Sequence, residues 1–521
     1  MTWVDFWYKI KRYGQKRESP QPLVDGSFPP HGTEITMKLA ELVKDIRIIA
    51  ASADMDTEIS GISYDSRLTR PGDLFVAVKG LQVDGHKFIA KAMEMGAAAV
   101  LCQDVPDMAV PYIQVSDCRY GLALCSRSFF GSPAAGMKMI GFTGTSGKTS
   151  STIILKHLLE QELGAKVGLI GTNGNMIGDE HIHTDFTTPE SYELHRLFRA
   201  MKDAGCTHVV MEVSSHSLTL ERVAGINFDV AVFTNLSQDH LDLHGSMDEY
   251  AAAKKKIFSQ CKTACVNLDD SRAEFMMDGI DARLLTFSAE RDEADIRAKD
   301  IRLSAGGVSF TAVHGAEEAL THLNIPGMFS VHNALGVIAA ASCLGLSLGQ
   351  CAEALETAEG VKGRMERVPT DGDYSIIIDY SHKPDALENV LKTLRPVTKG
   401  RLTVLFGCGG DRDRLKRPIM GAIAADNADM VIISSDNPRT EDPMDIINEI
   451  IPGVQDKSTP YQVICDRREA IRWAIDKAAP GDVILLAGKG HEDYQVIGHE
   501  TVHLDEREIV AQYLKERNQG R

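Results

Sequence analysis

From residue 37 onward, runs of four or five consecutive apolar residues alternate with segments whose apolar residues recur every three or four positions. The first pattern is that of strands covered on both faces and the second that of helices with one apolar side. Their alternation predicts α/β layers throughout. Predicted strands 74–78 and 97–101 belong to a first unit, whose end is punctuated by Pro133 and Gly136. A second unit holds predicted strands at 139–143, 167–170, 208–212 and 230–234. The helical pattern breaks near Gly360 to Arg364, and a third unit follows with predicted strands at 375–379, 402–406, 430–434 and 483–487. The boundaries expected are an extension 1–36 and domains 37–138, 139–362 and 363–521. Ligands of such sheets sit beyond the carboxyl ends of the strands, which points to Glu212, Asn235, Asp379, Gly407, Asp436 and Gly488.

One strand end carries a specific chemical signal. The apolar run at Met139 enters a glycine-rich turn ending in Gly147-Lys148-Thr149, and Ile153, Ile154, Leu155, Leu158 and Leu159 follow at helical spacing. Backbone N–H groups in such a turn cradle an anion, the helix N-terminus adds its positive end, Lys148 adds a full charge, and Thr149 offers a hydroxyl to Mg²⁺. The ligand predicted is a nucleoside triphosphate; a purely structural glycine turn is the alternative. The usual spacing is not kept, because Phe142 stands where the leading glycine is expected and Gly141 lies one residue earlier.

Composition narrows the field. A chain of 521 residues exceeds one compact core and predicts two to four domains. A net charge of −17 argues against a nucleic-acid-binding surface, so attraction for phosphates has to be focused in clefts. The stretch Asp411-Arg412-Asp413-Arg414-Leu415-Lys416-Arg417 is one such cluster. No apolar stretch is long enough to span a bilayer. The ten cysteines are scattered and are read as free thiols of a cytoplasmic protein. Residues 1–36 mix Lys9, Lys11, Arg12, Lys16 and Arg17 with Trp3, Phe6, Trp7 and Tyr8. They are read as a poorly ordered extension, with Met37 a candidate start and an anionic membrane surface the alternative.

The segment Thr143-Gly144-Thr145-Ser146-Gly147-Lys148-Thr149 resembles the phosphate loop of the Mur ligase family of ATP-dependent amide-bond-forming enzymes. Further matches follow in order: Met211-Glu212-Val213-Ser214-Ser215-His216, Thr234-Asn235-Leu236-Ser237-Gln238-Asp239-His240, Tyr250-Ala251-Ala252-Ala253-Lys254, Phe329-Ser330-Val331-His332-Asn333, Gly363-Arg364-Met365-Glu366-Arg367 and Asp379-Tyr380-Ser381-His382. The resemblance implies three α/β domains, with a central P-loop nucleotide-binding parallel sheet and a C-terminal Rossmann-like domain. It also implies ATP on Gly144, Thr145, Ser146, Gly147, Lys148, Thr149 and Ser150, with Asn333, Arg364, Asp379 and His382 contributing. Mg²⁺ would be held by Thr149, Glu212, His240 and Lys254, the last as a carbamate formed with CO₂. Lys148, Lys254, His240 and Arg364 would be the catalytic residues.

The likeness extends to both substrates. Ser66, the run Leu81-Gln82-Val83, Thr187, Thr188, Ser214 and Arg222 match family positions that hold a UDP-linked muramoyl dipeptide, UDP-N-acetylmuramoyl-L-Ala-D-Glu. Leu220 stands where some relatives carry a glutamine contact, so that contact is not carried over. Asp436-Asn437-Pro438-Arg439, with Arg412, Gly488 and Glu492, matches a pocket for meso-2,6-diaminopimelate, whose distal carboxylate suits a planar guanidinium fork. The implied reaction activates a carboxylate as an acyl phosphate and captures it with an amine, in cytoplasmic peptidoglycan precursor synthesis by a monomer. Rivals are a family member adding L-lysine, a folylpolyglutamate synthetase-like ligase, and a nucleotide-dependent scaffold on the same fold.

Overall fold

The computed structural model describes residues 35–519 except 81, 82, 183, 185 and 240. The expectations placed on residues 1–34, Leu81, Gln82 and His240 therefore lie outside the described residues.

The phosphate loop leaves the strand Lys138–Thr143, which runs between His208–Glu212 and Phe228–Phe233 in an 11-stranded sheet. Parallel neighbours extend this centre to Val167–Gly171 on one side and through Cys261–Asn267 and Arg283–Ser288 to Ile296–Ser304 on the other. The central strands are apolar on both faces because helices cover both. Lys148–Leu163 and Met328–Cys343 pack against each other over one face, and Ser191–Asp203 belongs to the cluster on the other. The sheet is mixed where a parallel one was expected. Antiparallel strands Gly174–Ile177 and Glu180–Ile182 close one edge, and Gly307–His314 and Glu317–Leu323 close the other.

A five-stranded sheet precedes it, in the order Ala50–Ala51, Tyr112–Gln114, Ala99–Cys102, Asp73–Val76, Gly61–Ser63. Its helix Cys118–Phe129 packs on Ser191–Asp203 of the middle sheet. The Tyr64 hydroxyl donates to Glu193 (2.9 Å) across the same junction. A six-stranded sheet follows, with Ser375–Asp379, Val483–Ala487, Leu402–Phe406, Met430–Ile433 and Tyr461–Val463 parallel and Glu366–Val368 antiparallel at one edge. One apolar cluster runs from Ile140 and Phe142 through Val337 to Leu387, Val404 and Leu485, so the middle and last sheets are joined by a continuous core. The carboxyl ends of their strands carry two cavities.

Candidate active site

The first cavity, about 690 Å³, is lined by Thr145 to Ser150, Glu212, Ser214, Asn235 and Asn333 from the middle sheet and by Arg364, Asp379 and Ser381 from the last. Lys148 begins the helix Lys148–Leu163, and Gly147 caps it with φ of +85°. A side chain at Gly147 would run into the Asn333 amide oxygen, so the loop and Asn333 are in close apposition. The Lys148 ammonium donates to the carbonyls of Gly144 (2.8 Å) and Thr145 (2.9 Å). Desolvation lowers its pKa, against the pull of Glu212 and Asp239.

Lys254 lies on the helix Met247–Lys255 and is buried. Its amine donates to the Gly144 carbonyl as well (2.7 Å) and sits 4.6 Å from the centre of the Tyr250 ring. Two lysine amines thus meet on one oxygen. Burial, and then the Lys148 charge, hold the Lys254 amine well below the ordinary lysine range, with Asp239 opposing. The sequence alone left open a solvated basic run, and the burial of Lys254 removes that alternative.

Glu212 ends its strand almost fully buried. It accepts from the Thr149 hydroxyl (2.9 Å), the Thr172 amide (2.8 Å) and the Thr172 hydroxyl (3.2 Å). A hydroxyl and a carboxylate side by side on the cavity wall are the hard oxygen donors that Mg²⁺ takes, so the donor set fits that ion. Thr172 carried no sequence signal, since a threonine after a strand is ordinary.

Thr187 and Ser214 line this same cavity. The Thr187 hydroxyl is 3.0 Å from that of Thr172. Thr188 is buried, its hydroxyl donating to the Glu212 carbonyl (2.8 Å), while Arg222 donates to the Thr188 carbonyl (3.0 Å) and stands 4.9 Å from the Phe186 ring. The four residues matched to the muramoyl end are therefore gathered next to Glu212. Ser66 and Val83 belong to the first domain and line neither cavity. Phe329 and His332, from the segment matched on sequence, line the first cavity with Asn333, and His332 pairs with Asp269 (3.1 Å); Asn389 and Thr393, which also line it, were passed over by sequence reasoning.

The second cavity, about 590 Å³, belongs to the last sheet and is lined by Arg412, Asp436, Asn437, Arg439, Gly488 and Glu492. Arg439 has φ of +52° and donates through Nη1 to the Gly410 carbonyl (2.9 Å), which leaves its other donors for a ligand. A side chain at Gly409 would come within 2.9 Å of Arg439 Nη1 and 3.7 Å of Arg412 Cγ, so the two guanidinium side chains flank that glycine. Pro438 turns the chain, its carbonyl accepting from the Glu441 amide (3.1 Å). Beneath, the fully buried Arg417 bonds Glu441 and Glu449 and fixes the loop.

The segment after Ser375–Asp379 divides between the cavities. Asp379 and Ser381 line the first, whereas Tyr380 and His382 line the second. His382, expected beside the nucleotide, thus faces the other cavity. Its Nδ1 is 2.9 Å from the Tyr380 carbonyl, and burial lowers its pKa. Asp379 accepts from the Met365 amide (2.8 Å) and from the Ser381 hydroxyl, and burial raises its carboxyl pKa. Arg364 stands 5.2 Å from the Tyr380 ring, so one stacked pair touches both cavities.

Comparison with known proteins gives the same picture over most of the chain. The family models for the Mur ligase middle domain, the Mur ligase glutamate ligase domain and the Mur ligase family catalytic domain match residues 142–341, 363–490 and 58–120. The UDP-N-acetylmuramoyl-L-alanyl-D-glutamate–2,6-diaminopimelate ligase of Caldanaerobacter subterraneus subsp. tengcongensis is 46% identical over 483 residues, 92% of this chain and 99% of the relative. The Clostridium botulinum protein of that name is 45% identical, over 88% of this chain and 96% of its own. A solved structure of a ligase of the same name superposes with a TM-score of 0.75 at 32% identity, covering 93% of this chain and 99% of that one. A Mycobacterium tuberculosis folylpolyglutamate synthase complexed with ADP shares the fold at 17% identity and a TM-score of 0.55, covering 77% of this chain and 94% of its own.

Proposed function

The chain belongs to the Mur ligase family, and from that membership we propose that it joins meso-2,6-diaminopimelate to the D-glutamyl γ-carboxylate of UDP-N-acetylmuramoyl-L-alanyl-D-glutamate with ATP. The observation that carries this reading is the charge arrangement of the second cavity. Two guanidinium side chains flank Gly409, while the carboxylates of Asp436 and Glu492 gather about one buried lysine. A substrate with both a distal carboxylate and an ammonium satisfies both groups, and L-lysine satisfies only one.

In the first cavity the substrate γ-carboxylate attacks the γ-phosphorus of ATP; a new P–O bond forms, the β–γ bond breaks, and ADP leaves. The neutral amine of diaminopimelate then attacks the acyl phosphate carbon, expelling phosphate and losing a proton to solvent. Lys148 and Arg364 stabilise charge on the transferring group, where most of the catalysis of such transfers arises. Thr187, Ser214 and Arg222 hold the muramoyl end near the reacting carboxylate, and Asn333 meets the base.

Thr149 and Glu212 would hold Mg²⁺, which would neutralise part of the phosphate charge. Lys254 fits the carbamate reading because its depressed pKa favours the neutral amine, the form that adds CO₂. A carbamate there would also place an anion beside the Lys148 ammonium, which shares the Gly144 carbonyl. Among the described residues no helix is long and apolar enough to cross a membrane; the reading carries with it a cytoplasmic monomer.

The test is phosphate release from ATP with the UDP-linked dipeptide and a panel of amino acids. Diaminopimelate should be strongly preferred. Comparable turnover with L-lysine, or turnover only with glutamate and a folate, would replace this reading.

A further inference from the structure

The loop after Val483–Ala487 turns on two glycines with positive φ, Gly488 and Gly490, and Lys489 between them points into the protein. Lys489 is 0% exposed. A lysine buried without partners is strongly disfavoured, so its contacts are informative. The ammonium donates to Asn437 Oδ1 (3.1 Å) and Glu492 Oε2 (3.2 Å), lies 3.9 Å from Asp436 Oδ1, and sits 5.8 Å from the centre of the Tyr494 ring.

We infer that Lys489 is a positioning residue of the second cavity, fixing the Asn437 amide and the Glu492 carboxylate in the orientation in which they meet an amino acid. The inference rests on reading that cavity as the amino-acid site. An amide can turn end for end at little cost unless its two ends face different partners. Asn437 Oδ1 faces two groups that only donate, Lys489 and the Val496 amide (3.0 Å), while its Nδ2 donates to Glu492 (2.9 Å). Lys489 therefore binds both ends of one chain of contacts, directly to the amide oxygen and directly to the carboxylate that takes the amide N–H.

The same contacts reach the arginine side. The Val496 carbonyl accepts from the Arg439 amide (3.0 Å), and the Arg439 carbonyl accepts from the Gly498 amide (2.6 Å), which holds Arg439 in its left-handed conformation. Charge is set as well. Two carboxylates against one ammonium leave a single negative charge for the ammonium of an incoming amino acid. Without Lys489 the carboxylates repel each other, and the amide oxygen keeps only the Val496 N–H as a donor.

The test compares steady-state constants for Lys489→Met and Lys489→Arg with the parent, for each of the three substrates, alongside thermal unfolding. Loss of charged hydrogen bonds predicts a KM for diaminopimelate raised roughly 10- to 100-fold in Lys489→Met. The KM values for ATP and the UDP-linked dipeptide should stay within about twofold, and kcat should fall much less than KM rises. Lys489→Arg, which keeps the charge and two or more donors, should recover most of the affinity. An unchanged KM for diaminopimelate in a folded Lys489→Met enzyme, or a uniform loss of kcat with all three KM values unchanged, would overturn the inference. Should Lys489→Met fail to fold, Lys489→Gln is judged by the same criterion. Parent turnover with the amino-acid panel tests the underlying reading separately: if another amino acid is the substrate, that reading falls and the KM of that amino acid decides the case of Lys489.

Discussion

Replacing Arg439 by alanine should raise the KM for diaminopimelate about thirty- to 150-fold. Truncating one partner of a buried charge pair costs roughly 2–5 kcal/mol. Two features of the structure place Arg439 in the lower half of that range. Its guanidinium is only half-buried and already spends Nη1 on the Gly410 carbonyl, and Arg412 remains across Gly409 to hold part of the carboxylate charge. A loss of about 2–3 kcal/mol converts to that KM range at 1.4 kcal/mol per tenfold. Alanine is also strained at φ of +52°, so Arg439→Gly, free of that strain, is the control and should show the same KM. Arg439→Lys keeps the charge and loses the planar fork, and should fall between. The assay is phosphate release at saturating ATP and UDP-linked dipeptide with diaminopimelate varied. A KM within threefold of the parent in both the alanine and glycine variants would refute the assignment of Arg439 to the distal carboxylate.

Much of this architecture was legible because buried parallel strands announce themselves as continuous Val, Ile and Leu. Ile376, Ile377 and Ile378 read as a strand and form one, as do Val404 and Leu405. The antiparallel edge was not legible. In Gly307–His314 the buried positions Val308, Phe310 and Ala312 alternate with half-exposed Ser309 and Thr311, a period-two signal diluted by polar residues, and its partner Ile296–Ser304 carries mostly solvent-facing charges. Sequence pattern fixes which face of such a strand is buried but says little about which strand it joins.

The site divides in a similar way. Residues at strand ends and in the phosphate loop were found because their chemistry demands those positions. His382 fell to the other cavity for a reason the sequence did contain: an extended segment sends alternate residues to opposite sides, so Tyr380 and His382 part from Asp379 and Ser381. Lys489 was hidden more thoroughly. A lysine between two glycines reads as an exposed turn, and only the packing of Asn437, Glu492 and Tyr494 around it reveals burial.

Lys254→Ala should abolish turnover while ADP still binds, and ¹³C-bicarbonate should give a carbamate NMR signal in the parent that is missing from the variant; a fully active variant would remove the carbamate from the mechanism. Because protonation competes with CO₂ addition, that signal should grow as pH rises and reach its plateau below the ordinary lysine range, since burial lowers the amine pKa, and it should be lost as pH falls. Lys148→Ala should lose ATP binding by calorimetry yet keep diaminopimelate binding, since the proposed function assigns the two ligands to different cavities; equal loss of both would mean the cavities are not independent. Gly363→Ala probes how the two are joined. Gly363 has φ of +75°, and a Cβ there would collide with the backbone of Gly490 and His491, in the loop that carries Lys489 and Glu492. The neighbouring Arg364 lines the first cavity and Met365, itself at φ of +46°, donates its amide to Asp379. The backbone at 363–365 is thus wedged between the nucleotide side and the amino-acid side, and relief of the collision has to displace one or the other. The alanine variant should therefore raise the KM values for ATP and diaminopimelate together while leaving that for the UDP-linked dipeptide nearly unchanged, a pattern unlike that of either Lys148→Ala or Arg439→Ala. A Gly363→Ala enzyme with all three constants unaltered would show that the backbone at 363–365 does not set either cavity.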